Sequence, residues 1–294
     1  MFSTIVRFIQ DILGFPASLK DFLAVNPKLG YSLDTPRTVC SDSVTCWHEW
    51  KPAGWDSQVG ELRGWRKTQD SYQGFSICVP ALVNLTKHQQ SEMWKCDIRQ
   101  VEAICNSKSP LNVFKELDSF AFARCKGYLD DVSLEQIYHN LAHNEVRIMQ
   151  HGRGDFFKYH YWDNRVCLIN CGGSHHFATA RYLAGILGQP VQLCGSLHAY
   201  SLNPTAVKEL TEQFKLFSVD NTLLWDELFE IFNRIQVTWF VGELPHPHNE
   251  NCVLMFPRNN RHSMRIANIL SDAGIPNLGK YLMNLLIQQK PPRR

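Results

Sequence analysis

The pentapeptide Gly172-Gly173-Ser174-His175-His176 concentrates the chemistry available to this chain. Two glycines let a loop turn tightly with its amides exposed, a serine supplies a hydroxyl, and two imidazoles supply proton transfer near neutral pH. Free amides at the start of a helix, aligned with the helix dipole, attract phosphate or carboxylate. That end of a helix contributes only about 0.3–1 kcal/mol toward an anion, so side-chain donors must add to it. Arg181, two turns further on, is one such donor. Arg258 and Arg261, in the polar loop Arg258-Asn-Asn-Arg-His-Ser263, either contact the same ligand from the opposite side or form a second anion site. Gly172, Gly173, Arg181, Arg258 and Arg261 are therefore the candidate ligand-binding residues, and Ser174, His175 and His176 the candidate catalytic ones. Successive helical residues point about 100° apart, so one histidine is expected to face the ligand while the other packs or caps. A general base drawn from the nearby carboxylates would be Glu145, Asp155 or Asp163. Binding is expected to strengthen as pH falls through the histidine range.

The elements that must hold this turn are legible on both sides of it. Val166-Cys-Leu-Ile169 is apolar and β-favouring, and Phe177 onward is helix-forming until Gly188 and Pro190 stop it. Ser174 is expected to cap that helix, and a short strand through Val191 to follow it. Upstream, Ser133-Leu-Glu-Gln136 resembles a capping box for a helix expected to reach about Met149. Asp155–Tyr161 and Val166–Asn170 read as strands around a turn at Asp163-Asn164. Downstream, Asn203-Pro204 opens a helix through Phe214, Leu223–Phe232 forms another, Ile235–Val241 and Cys252–Phe256 are strands, and helices follow near Ser263–Ala273 and Leu278–Ile287. Residues 82–125 mix helical and loop patterns and yield no order.

The chain has 294 residues with 30 basic and 28 acidic side chains, so a net charge of +2 provides no global field for nonspecific nucleic-acid binding. Ten cysteines are scattered without a Cys-x-x-Cys pair, which predicts reduced structural thiols and a cytoplasmic location. Residues 1–15 place Phe2, Ile5, Ile9, Ile12 and Leu13 on one helical face, interrupted by Arg7 and Asp11, and predict an amphipathic helix rather than a transmembrane segment. Four tryptophans, Trp47, Trp50, Trp55 and Trp65, lie in a turn-rich stretch; anchoring loops to a core is their commoner use, and an aromatic ligand platform the alternative. His139 with His143, and His246 with His248, have metal-compatible chemistry but lack a complete ligand set, so no metal site is assigned.

The order strand, Gly-Gly-x-His, aromatic, Ala-x-Ala helix and Pro-Val strand resembles the nucleotide-binding core of the ParB/sulfiredoxin superfold over roughly residues 133–200. That superfold includes ParB-type CTPases, sulfiredoxins and a free-serine kinase. The signature is also similar to that of bacterial or mobile-element proteins carrying Gly-Gly-Ser-His-His-Phe, to which no reaction is attached. The resemblance implies an α+β protein: a ParB/sulfiredoxin-like core with helical and loop-rich elaborations. The N-terminal amphipathic helix and Trp-rich elaboration would occupy 1–130, and the core with a C-terminal α/β extension 131–294. It implies a nucleotide or phosphorylated small molecule as partner, ATP or CTP with Mg²⁺ as the ligand, and phosphotransfer or nucleotide hydrolysis as the reaction. The alternative is a DNA-associated or nucleotide-sensing binding protein without catalysis. Sulfiredoxins carry a reacting cysteine where this chain has Ser174. A hydroxyl lacks the acidity and nucleophilicity of a thiolate, which argues against sulfinic-acid reduction here.

Overall fold

The computed structural model describes residues 16–54, 56–150 and 154–292. The expected helix over residues 1–15, and Trp55, lie outside them. The strands are β1 (Glu61–Lys67), β2 (Tyr72–Cys78), β3 (Thr86–Asp97), β4 (Val101–Ile104), β5 (Phe156–His160), β6 (Val166–Ile169), β7 (Gln192–Leu202), β8 (Phe214–Val219), β9 (Trp239–Glu243) and β10 (Cys252–Pro257). They form two five-stranded sheets within a mixed α+β chain. Among the described residues no helix is long and apolar enough to cross a membrane.

The chain divides into two compact units assembled from discontinuous segments. The first comprises residues up to Asp34, Cys46–Thr86 and Asn203–Ile287; the second comprises Thr35–Thr45, Lys87–Leu202 and Gln288 onward. A boundary at 130/131 falls inside the second unit.

In the first unit the strand order is β2-β1-β9-β10-β8, with antiparallel neighbours. β9 and β10 are buried along almost their whole length, reading Trp-Phe-Val-Gly and Cys-Val-Leu-Met-Phe, so apolar burial rather than alternation defines them. Their core includes Trp239, Phe232, Phe256 and Ile266. Trp47 and Trp50 anchor irregular chain, while Trp65 lies within β1. Trp47 and Trp50 are buried edge to face at 5.3 Å, and Trp50 Nε1 donates to the Glu243 carbonyl at 2.7 Å. Trp65 stacks on Trp239 at 5.0 Å. Phe214 opens β8 instead of closing the preceding helix, which ends at Gln213. The reason is that Phe214-Lys-Leu-Phe-Ser-Val pairs with β10 residue for residue, and that tertiary pairing overrides helical continuation.

In the second unit the order is β3-β7-β5-β6-β4. β5 and β6 form the expected antiparallel pair, with Asn164 at φ 62° in the turn. β4 runs parallel to β6, and β7 parallel to β5. The helix Ser174–Ile186 buries Phe177, Ala180, Leu183 and Ala184 in a core shared with Phe120, Ile137, Phe157 and Leu168. Small alanines on that face let neighbouring elements approach closely, while Phe177 fills the volume between them. The helix begun by Ser133 ends at Leu141, well short of Met149. Its chain then turns through bonds from His143 N to Asn140 O and from Val146 N to His143 O. The early end brings Glu145 to the glycine turn.

Arg165 shows how the second unit holds its distant segment. The residue is 3% exposed, and its guanidinium pairs with Asp163 at 2.6 Å and donates to the Thr38 carbonyl and Ser43 Oγ.

Candidate functional site

Parallel pairing of β4 with β6 determines where the site forms, because loops leaving the same ends of parallel strands converge. The loop after β4 carries Asn106, Ser107 and Lys108; the loop after β6 carries Cys171, Gly172 and Gly173. Asn170, 3% exposed, ties the two together. Its Oδ1 accepts from the Cys105 and Asn106 amides at 3.1 and 3.2 Å, and its Nδ2 donates to the Asn106 and Gly172 carbonyls at 2.9 Å each. Replacing Asn170 with alanine strands these buried groups, and is expected to cost about 2 kcal/mol of stability in denaturant unfolding. A loss below about 0.5 kcal/mol would show that the loops converge without it.

Gly173 occupies the left-handed region at φ 67° and takes the N-cap place; Ser174 is the first helical residue and 5% exposed, with no capping bond. This corrects the expectation that Ser174 caps the helix. Only a residue without a side chain fits beside the Glu145 backbone: a Cβ on Gly173 would lie 2.7 Å from the Glu145 carbonyl carbon.

The turn opens into a cavity of 570 Å³. Gly172, Gly173, Ser174, His175 and His176 line one side, and Lys108, Arg124, Tyr128, His143 and Glu145 are among the others. Both histidines line it, because the cavity wraps the first helical turn. His175 Nε2 lies 3.0 Å from Ser109 Oγ with its ring against Phe120, and His176 Nδ1 lies 2.9 Å from Asn140 Oδ1 with its ring stacked on His143 at 3.9 Å. Burial holds both imidazoles below their ordinary pKa, aided at His175 by Lys108 and at His176 by His143. Both are neutral at pH 7, so proton acceptance is the chemistry they offer in the free protein.

Glu145 is the carboxylate of the cavity. Its Oε2 accepts from the Gly173 amide at 3.3 Å, which places a side-chain anion at the helix start where a ligand anion was expected. The other two candidate bases serve the framework. Asp155 accepts from the Cys171 and Ile148 amides, and Asp163 pairs with Arg165.

The expected arginines are placed elsewhere. Arg181 does not line the cavity: it donates to the Val101 carbonyl at 2.6 Å and the Arg99 carbonyl at 3.2 Å, and pairs with Asp118. It ties its helix to the start of β4. Arg258 and Arg261 belong to the first unit, where Arg258 Nε donates to the Thr211 carbonyl and Asn260 caps the helix Arg261–Asp272. The cations that do line the cavity, Lys108 and Arg124, fall in the stretch that sequence patterns left unordered. The alternation of Val101-Glu-Ala-Ile104 before a Ser/Pro-rich loop is the signal that could have found Lys108. Among the described residues no group of three or more His, Cys, Asp or Glu side chains is placed to hold a metal ion.

The lowered histidines bear on stability. His175, His176, His198 and His248 all have native pKa values below that of the unfolded chain, each chiefly through burial. The native state therefore binds fewer protons than the unfolded state once pH drops below about 6.5. Stability is expected to be full above that pH and to decline as pH falls through the native values. Urea midpoints at about pH 7.5 and pH 5.5 check this; equal midpoints would contradict it.

A family model described as "Family of unknown function (DUF6685)" matches residues 91–294. No curated protein and no solved structure matches the chain.

Proposed function

The chain belongs to that family, and from the geometry of the matched region we propose that it binds a nucleotide or another phosphorylated small molecule at the β6–helix turn. The observation that carries this reading is one cavity joining the Gly172–Ser174 main chain to Lys108, Arg124 and two neutral histidines. Its 570 Å³ falls within the roughly 300–1,000 Å³ usual for small-molecule sites. A concave site with localised cations suits a compact phosphate better than a nucleic-acid backbone, which is tracked by an extended basic stripe.

A mixed sheet in which a strand passes through Gly-Gly-x-His into a helix supports assigning the second unit to the ParB/sulfiredoxin superfold. ATP or CTP follows as the ligand class, and phosphotransfer or hydrolysis as the reaction class. His175 and His176 would accept the proton released by an attacking hydroxyl or water. Mg²⁺ favours one or two carboxylates together with ligand phosphates, and Glu145 fits that donor set. When bound, the ion would neutralise phosphate charge.

Glu145 supplies the experiment. In metal-free buffer its charge opposes an incoming phosphate, so Glu145→Gln is expected to tighten inorganic phosphate binding about fivefold in calorimetry. With Mg²⁺ and ATP or CTP the same variant is expected to bind more weakly. Absence of heat from wild type with phosphate, ATP and CTP would overturn the reading. Labelled-nucleotide turnover separates an enzyme from a sensor.

A further inference from the structure

The two stacked imidazoles are held in opposite tautomers, and this decides what kind of phosphate group the cavity accepts. Asn140 is fully buried and its Nδ2 donates to the Gln136 carbonyl at 2.9 Å, which fixes the orientation of the amide. The atom facing His176 Nδ1 at 2.9 Å is therefore the acceptor Oδ1. An acceptor opposite a ring nitrogen requires a proton on that nitrogen, so neutral His176 carries its proton on Nδ1 and leaves Nε2 as a bare lone pair. In His143 the order is reversed. The Glu145 amide donates to its Nδ1 at 3.3 Å, so a neutral ring carries its proton on Nε2. One ring thus brings an acceptor to the cavity wall and its neighbour a donor. The stack between them and the edge of Tyr128, 4.7 Å from His176, fix the ring planes.

We infer that His176 is a specificity-determining residue that accepts a hydrogen bond from a P–OH group, with Asn140 as its positioning residue. The proposal rests on the phosphate reading of the same cavity. The ligand group it selects is free hydrogen phosphate, which keeps one hydroxyl at a pH where a phosphate ester, with its second pKa of about 6, has lost its own. It is selected over an anion of equal charge and shape without a proton. His143 Nε2–H, Lys108 and Arg124 offer donors for the unprotonated oxygens. The charged and titratable groups facing His176 are His143, Glu145, His139, His175 and the ring of Tyr128; Glu145 favours its protonation and the histidines oppose it.

The test compares inorganic phosphate with sulfate on the full chain at about pH 8.5, where phosphate, like sulfate, is almost wholly a dianion and only phosphate carries a hydroxyl. Wild type is expected to prefer phosphate about tenfold, the worth of one hydrogen bond to a partly screened group. Nitrogen-15 spectra of the histidine rings are expected to show Nδ1 protonated in His176 and Nε2 protonated in His143, with His176→Asn assigning the signal. In Asn140→Asp a carboxylate holds protons on both ring nitrogens, Nε2 becomes a donor, and the preference collapses toward one. Asn140→Leu, which frees the tautomer, is a second variant that reduces the preference without adding charge. A wild-type His176 protonated on Nε2, or equal binding of the two anions, overturns the inference while leaving the phosphate site standing. Failure of either anion to bind overturns both.

Discussion

Gly173→Ala is expected to destabilise the protein by about 3–4 kcal/mol, near the top of the range for a single methyl group. Two effects add. The residue sits at φ 67°, where an L side chain costs about 1–2 kcal/mol. The new Cβ would also meet the Glu145 carbonyl carbon at 2.7 Å, its oxygen at 2.8 Å and Val146 Cγ2 at 2.9 Å. Main-chain atoms cannot rotate away, so either the 143–146 turn or the start of the helix must move. Gly188 provides the control: its φ is 62°, yet nothing lies within 4 Å of an added Cβ. Gly188→Ala should therefore cost only the backbone term, about 1 kcal/mol. Chemical denaturation of the two variants isolates the close approach as their difference. Equal losses would mean that the Glu145 turn does not press on Gly173.

The second large effect is on binding. Lys108→Ala with Arg124→Ala is expected to weaken phosphate binding about a hundredfold, roughly tenfold for each charge-assisted contact with allowance for solvent screening. The helix start by itself contributes about 1 kcal/mol at most, so the pair carries more of the affinity than the glycine turn does. Arg181→Ala makes the contrast. It removes the bonds to Val101 and Arg99 and the pair with Asp118, and should lower stability while leaving phosphate affinity within about twofold of wild type. A reversal, with affinity following Arg181 instead of Lys108 and Arg124, would restore the donor read from helical spacing alone.

The local chemistry of the turn was legible because short-range rules govern it. A strand of Val-Cys-Leu-Ile, a tight turn at the glycine pair, and a helix stopped by Gly188 follow from adjacent residues. The identity of the cap was misread since Ser and Gly both serve that place, and only the close approach of Glu145 selects glycine. Non-local pairing hid the rest. β4 is four residues long and gains its place by lying parallel to β6, more than sixty positions away, so nothing near Lys108 announces the cavity. Arg181 looked available because helical spacing gives no account of the Val101 carbonyl that binds it. The Ser133 helix was read too long since the apolar stripe continues to Ile148, whereas that residue is buried from a separate 3₁₀ turn. The segments of both compact units interleave along the chain, which no linear boundary can represent.

The most direct measurement of the central claim is a phosphate titration followed through the backbone amide resonances of the full chain. An anion seated at the helix start takes over the Gly173 amide from Glu145, so Gly172, Gly173 and Ser174 should show the largest shifts, saturating together with the ring signals of His175 and His176. Shifts confined to the Arg258–Ser263 loop, or spread over surface lysines without saturation, would contradict a phosphate site at this turn.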